Sequence, residues 1–193
     1  MVSVNEYYKV DLYHIWQLSK FVICNMRSKD DMHLRSLAYQ LQFMDIFNVP
    51  EEIVLQEIIA LSSLLFPTPV QTDYLDRITS NTDQSLFLCR NTNNELIGFK
   101  LGYANSPLEY YSWLGGIRPE YRNHGIATEL MRKQHAWCMQ QGYDSIVTKT
   151  SPSFKEMLSL NKKFGYLPEG EIVNSSGKTR ILQRKKFDIH HSS

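Results

Sequence analysis

Cysteine is scarce in this chain, and Cys24, Cys89 and Cys138 stand far apart. An odd number with no C-x-x-C spacing argues against a disulfide framework and against a cysteine zinc site, and it fits a reducing cytoplasm. An excess of charge of either sign is also missing. With a net charge of +1, nothing global points to nucleic acid or to an anionic membrane as partner. The short basic run Arg184-Lys185-Lys186 reads as a solvated strand end. No long apolar run exists: the most apolar stretch, Ile53 to Phe66, carries Gln56 and Glu57 and is too short to span a bilayer. The opening residues, Met1 to Glu6, lack the basic-then-apolar order of a signal peptide. Internal repeats and low-complexity segments are absent. So are the two commoner phosphate motifs, G-x-x-x-x-G-K-[ST] and G-x-G-x-x-G. His135, read as part of a solvated helix face, and His124 have no His, Cys or Asp at ligand spacing, so no metal is expected.

What is present is the material of one soluble domain: 193 residues, 42% hydrophobic and 21% charged. Residues 1–70 read mainly as helix, with apolar spacing at Leu12, Ile15, Trp16, Leu18 and Val22 and again at Leu34, Leu37, Leu41, Phe43 and Met44. A third helix starts at Pro50-Glu51-Glu52, with Ile53, Leu55, Ile58, Ile59 and Leu61, and ends near Pro67. A shorter one is expected over Thr72 to Ile78. From about residue 85 the texture is that of strands. Leu86–Arg90 and Leu96–Leu101 flank an Asn-rich link, a hairpin signal, and Tyr110–Ile117 comes next. Then come a helix from Gly125 to Gln141, a strand over Ser145–Thr150 and a helix over Ser153–Phe164. Two last strands span Tyr166–Val173 and Thr179–Phe187. The order predicts an α/β mixed sheet, mostly antiparallel, with a βαβ crossover at its middle and flanking helices. The expected organisation is a helical N-terminal part at 1–70, a core at 71–188 and a frayed tail at 189–193.

The informative stretch is Ile117-Arg118-Pro119-Glu120-Tyr121-Arg122-Asn123-His124-Gly125-Ile126-Ala127-Thr128. A strand ends at Ile117, Pro119 stops it, and a helix begins near Gly125. Unbonded N–H groups at a helix start converge on one space, and the helix dipole adds partial positive charge there. Gly125 and the small Ala127 let a phosphate approach the main chain, and Arg122 adds a charged fork.

This pattern resembles the GNAT family of N-acetyltransferases. Its [RQ]-x-x-G-x-[GA] motif at a helix start is matched by Arg122, Gly125 and Ala127, and Ile117–Arg122 is similar to the V-x-P-x-Y-R lead-in. Lys163-Phe164-Gly165-Tyr166 is similar to the family's later K-x-G-F. The resemblance covers roughly residues 84–187. It implies a GNAT-like fold with a helical N-terminal extension that shapes the acceptor side. It implies acetyl-CoA as co-substrate and no metal. The CoA diphosphate would lie on N–H groups of Arg122, Asn123, His124, Gly125, Ile126, Ala127 and Thr128. The pantetheine would run along Leu114, Gly115, Gly116 and Ile117, where the strand splays at a bulge for which Gly115-Gly116 is the natural place. A backbone N–H nearby would hold the thioester oxygen as it becomes an oxyanion.

A lysine-like amine titrates at about 10.4, so freeing its lone pair at pH 7 costs roughly 4–5 kcal/mol and calls for a base. The family's usual Glu position falls on Tyr111 here, and Glu109, two residues earlier, shares its face as an alternative base. The family's usual acidic Tyr falls on Asn161, whose amide is expected to hydrogen-bond the sulfur or pantetheine rather than donate a proton. Cys138 reads as a buried helix residue, not a nucleophile. The expected function is acetyl transfer to a primary amine by direct attack. The acceptor is a small molecule or a peptide or protein amine, in the cytoplasm, with a homodimer left open. The alternative is an acyl-CoA sensor of the same fold with little turnover.

Overall fold

The computed structural model describes residues 41–47, 49–66, 78, 80, 83–173 and 177–188. The elements run β1 (Gln42–Ile46), α1 (Glu52–Leu65), β2 (Gln84–Arg90), β3 (Leu96–Ser106), β4 (Glu109–Ile117), a 3-10 turn (Pro119–Tyr121), α2 (Ile126–Gln140), β5 (Ser145–Thr150), α3 (Lys155–Lys163), β6 (Leu167–Val173) and β7 (Thr179–Lys186). The strands form one sheet in the order β1-β2-β3-β4-β5-β7-β6. Every neighbouring pair is antiparallel except β4 with β5, which are parallel and joined through α2.

The sheet is filled from both sides, as the two-residue period of a strand requires. On one face Leu86, Leu88, Phe99 and Leu101 meet Leu55, Ile58 and Leu61 of α1. On the other, Phe87, Cys89, Ile97 and Ile117 meet Ile126 and Leu130 of α2. β2 is therefore buried along its whole length. Further along α2, Met131 and Cys138 pack with Tyr110, Ile146 and Tyr166, and Met157 and Leu160 of α3 close that cluster.

The hairpin between β2 and β3 forms as expected. Asn91 holds its turn by accepting the N–H groups of Asn93 and Glu95, each at 3.0 Å, while Asn94 takes a left-handed φ of 63°. Arg90 reaches out of β2 to Glu57 of α1 and to the carbonyl of Asn94 at 2.8 Å, tying helix to hairpin.

Four expectations need correction. Phe43 and Met44, assigned to a helix, lie in β1, where the unfilled edge of β2 takes them as an antiparallel partner. β1 and α1 thus share one sheet and one core with β2 and β3, so residue 70 is no boundary within it. His135 is not solvated: it is 4% exposed and its Nε2 lies 2.9 Å from the Tyr166 hydroxyl. Arg184 is not a solvated strand end, because it pairs with Glu109 and Glu169. The helix at residues 12–22, Leu34 and Leu37, and the tail 189–193 lie outside the described residues, as does most of the helix expected over Thr72–Ile78, of which Ile78 is helical and buried. No helix among the described residues is long and apolar enough to cross a membrane.

Candidate acyl-CoA site

β4 is a full partner of β3 but only a partial partner of β5. Its parallel rungs to β5 join Glu109–Tyr111 to Ser145–Val147 and stop there. One more link lies beyond them, as the Thr148 hydroxyl donates to the Ser112 carbonyl at 3.0 Å. Past it β5 stays with β7 out to Thr150, and no rung joins Leu114–Ile117 to β5. The two strands open like a wedge. Gly115 and Gly116 lie at the opening, where a Cβ on Gly116 would collide with Leu65.

The wedge opens into a cavity of about 530 Å³, within the usual size range of small-molecule sites. Gly115 to Ile117 form one wall. Arg122, Asn123 and Gly125 to Thr128 form its mouth, Leu130 and Met131 of α2 its side, and Met157 and Leu160 of α3 the wall opposite. Leu65 and Phe66, from the end of α1, reach it from the other face of the sheet.

The mouth is formed by the backbone at the start of α2. Gly125 caps α2 with a left-handed φ of 77°, and Asn123 just before it has a φ of 64°. The first intrahelical bond runs from the Glu129 N–H to the Gly125 carbonyl at 3.0 Å. The N–H groups of Ile126, Ala127 and Thr128 are therefore outside the helix ladder, at the positive end of its dipole. The Arg122 Nε donates to the Ile117 carbonyl at 3.3 Å, which fixes the guanidinium beside the strand end.

Of the residues expected to bind CoA, those from Gly115 to Ile117 and from Arg122 to Thr128, His124 excepted, thus share one cavity. Leu114 and His124 are half-buried beside it, and Leu114 packs toward α1. The strand irregularity is not at Gly115-Gly116. Leu101 faces Leu114 and Gly102 faces Ser112, so Trp113 is the extra residue. The bulge sits where the wedge closes.

Glu109, weighed as a base, and Asn161, expected to contact the sulfur or pantetheine, are not among the residues that line the cavity. Glu109 begins β4, six residues from Gly115 and so about 20 Å away along an extended strand. Burial favours its neutral form, but hydrogen bonds from Arg184 and Asn105 outweigh this and hold its pKa below the usual value. A carboxylate so committed is a weak base. Asn161 is 1% exposed and spends its amide hydrogens on Thr150 at 3.2 Å and Gln183 at 2.8 Å. It anchors α3 to the sheet because its side chain points inward from the helix, away from the cavity lining. Tyr111 stands at the last β4–β5 rung, edge-on to Tyr103 with centroids 5.4 Å apart and with the Lys149 Nζ 5.2 Å from its ring centre. Burial pushes the Cys138 thiol up, so it is no nucleophile.

Sequence patterns alone did not single out Lys100. It lies on β3 directly across from Gly115, on the α2 face, and lines the cavity. A side chain on Gly115 would sit 3.6 Å from the Lys100 Cγ, so the glycine leaves room beside it. Burial lowers its pKa to about 8, opposed in part by Cys138. Among the described residues it has no hydrogen-bond or ion-pair partner. A lone lysine inside the apolar run Leu96–Leu101 was the available signal.

The sequence pattern described as the Acetyltransferase (GNAT) family matches residues 55–166. Solved structures of similar fold include Ard1 from Thermoplasma volcanium, with a TM-score of 0.65, 12% identity and coverage of 76% of this chain and 97% of that one. Naa50 of Arabidopsis thaliana, in complex with the bisubstrate analogue CoA-Ac-MVNAL, has a TM-score of 0.63 at 19% identity over 77% of this chain and 99% of its own. The ribosomal-protein-S18-alanine N-acetyltransferase from Escherichia coli has a TM-score of 0.63 at 13% identity over 78% and 98%.

Proposed function

This chain belongs to the acetyltransferase (GNAT) family, and on that premise we propose that it carries an acetyl group from acetyl-CoA to a primary amine by direct attack. The single observation that carries the reading is the continuity of the β4–β5 wedge with the α2 N-terminus in one cavity. The N–H groups of Ile126 to Thr128 and the Arg122 guanidinium would hold the diphosphate. The pantetheine would lie against Gly115 and Gly116, supplying the missing partner to the edge of β4. The main chain at the Trp113 bulge would face the thioester carbonyl, where an N–H can stabilise developing negative charge. Alignment of amine and thioester in the closed end of the wedge is then the main source of rate.

We further propose that the acceptor is the α-amino group of a peptide or protein. Among the described residues that line the cavity the one acid is the exposed Glu156, so no buried carboxylate stands there as a base. An α-amino group titrates at about 7.7–8.0, against about 10.4 for lysine, and needs little help to become a nucleophile near neutrality. A similar structure that holds an analogue joining CoA, an acetyl group and a peptide supports the same choice.

The test is incubation with acetyl-CoA and matched peptides, with the α-amine either free or blocked, following free thiol. Release that depends on the free α-amine supports the proposal. Release with lysine-bearing, α-blocked peptides alone would overturn the acceptor class. Tight CoA binding with no release for any amine would favour a sensor, a reading to which the committed Glu109 and Asn161 give weight. Gly125→Glu should abolish CoA binding, since it puts bulk and negative charge where the diphosphate would rest. A Cβ at Gly125 meets nothing within 4 Å, so the fold bears only backbone strain of about 1 kcal/mol from its left-handed φ, which the denaturant midpoint checks.

A further inference from the structure

We propose that Lys100 is the group that receives the departing CoA thiolate, stabilising it with the ammonium charge and supplying its proton. The proposal rests on the reading of the cavity as an acyl-CoA site and adds a residue to it.

The position of Lys100 is set by the strand register. On the α2 face of β3 it stands between two glycines. A side chain at Gly98 would collide with Ile117 and approach Ile126, near the start of α2, while one at Gly102 would collide with Tyr110 and the Gln134 amide, farther along. Lys100 thus occupies the middle level, opposite Gly115 and beside the cavity. Its charge is felt by His135 and by Cys138, both one or two turns beyond Met131 on α2. Lys100 thus lines the cavity between its mouth and the closed end of the wedge. That end holds the Thr148–Ser112 link and the Trp113 bulge, and there the thioester would sit if the diphosphate rests at the mouth.

The surroundings give this cation no other occupation. No carboxylate pairs with it among the described residues. The titratable groups around it are His135 and Cys138 on α2, Tyr166 behind His135, and Lys185 of β7, whose charge also reaches His135. None of these is an acid that would be ionised near neutrality. Burial has lowered the lysine to about 8, close to the value of about 8.5 for an ordinary thiol, so a proton passes between the two with little free-energy difference. The role is open in this chain because Asn161, at the position where an acid was sought, is turned inward and bonded to Thr150 and Gln183.

In the transfer step the amine nitrogen bonds to the thioester carbonyl carbon, the carbon–sulfur bond breaks, and its electron pair leaves on sulfur. The Lys100 proton passes to that sulfur to give free CoA thiol. The proton shed by the new amide nitrogen returns to Lys100 through solvent.

The experiment needs no acceptor. CoA thiol is bound to the intact protein and the thiolate is followed by its ultraviolet absorbance as pH is raised, in wild type, Lys100→Met and Lys100→Arg. Binding is measured separately by calorimetry. An opposite charge within about 4–6 Å lowers an acid by roughly 1–3 units. Wild type and Lys100→Arg should therefore ionise the bound thiol below its value in free CoA, and Lys100→Met above it. Methionine replaces a half-buried cation with an apolar chain of similar shape, and circular dichroism checks that it folds. If it does not, the Arg variant and wild type still decide, because thiol ionisation in both at or above the free value would overturn the proposal. So would equal ionisation in wild type and Lys100→Met with CoA bound to both. Failure of wild type to bind CoA at all would overturn the reading of the cavity itself, and with it the proposal.

Discussion

At the scale of single residues, the sheet depends on positions where a side chain is missing. A Cβ at Gly102 would lie 2.5 Å from the Tyr110 ring, 2.6 Å from the Tyr111 carbonyl and 2.9 Å from the Gln134 amide. One of these atoms is backbone and cannot swing away. Gly102→Ala should therefore cost about 1–3 kcal/mol of stability, the usual range for overpacking a filled core. Gly142→Ala, with a φ of 82° and nothing within 4 Å, should cost about 1 kcal/mol from backbone strain alone. Denaturant midpoints for the two variants check the order. His135 makes a pH prediction. Burial, assisted by the charges of Lys185 and Lys100, lowers it to about 3, so the folded protein holds it neutral. Its contribution is fully present above the unfolded value of about 6.5 and is lost as pH falls from there toward about 3. The melting temperature should drop across that window by more in wild type than in His135→Gln. Parallel curves would contradict the assignment.

At the scale of elements, α1 is fastened to the β2–β3 hairpin by the Arg90–Glu57 pair, whose side chains are 7% and 31% exposed. Removing one partner of a buried pair leaves the other charge stranded. With Glu57 partly exposed, Glu57→Gln should cost a discounted amount, about 1–2 kcal/mol. The exposed Glu52→Gln should change stability by less than about 0.5 kcal/mol. Equal midpoints for the two would show that the pair does not fasten the helix. The elements that sequence reasoning placed well are those with a clean period. β5 was read with its observed ends, and α2 to within a residue or so, because Gly125 and Gly142 punctuate a helical apolar stripe. β1 was missed because an edge strand need not alternate. Phe43 packs on the α2 face and Ile46 on the α1 face, Asp45 pairs with Lys133, and Phe43 with the exposed Met44 read as the end of the set Leu34, Leu37 and Leu41. The turn before α2 was legible for a related reason: a left-handed cap at a helix start calls for glycine, and Gly125 supplies it. The surroundings of Glu109 and Asn161 were not. Strand parity put Glu109 on a plausible face without saying which end of β4 opens, and helix counting found Asn161 without saying which way its side chain turns.

At the scale of the molecule, the sheet consists of two blocks, β1 to β4 and β5 with β7 and β6. They share three parallel rungs and the α2 crossover. CoA bound in the wedge would extend that seam, so ligand should stiffen the junction as well as occupy it. With free CoA at about 100 times its dissociation constant, linkage alone adds about 2.7 kcal/mol of stability. The amides of Leu114 to Ile117 and of Ile126 to Thr128 should gain the most protection from hydrogen exchange. Protection confined to other surfaces would place the ligand elsewhere. The most direct test of the central claim is to incubate the protein with acetyl-CoA and a peptide bearing a free α-amine, and to quantify N-acetylated peptide and free CoA together. Equimolar formation of the two, lost in Gly125→Glu, is the expected result. No acetylated peptide, in a protein whose calorimetry also shows no CoA binding, would contradict it.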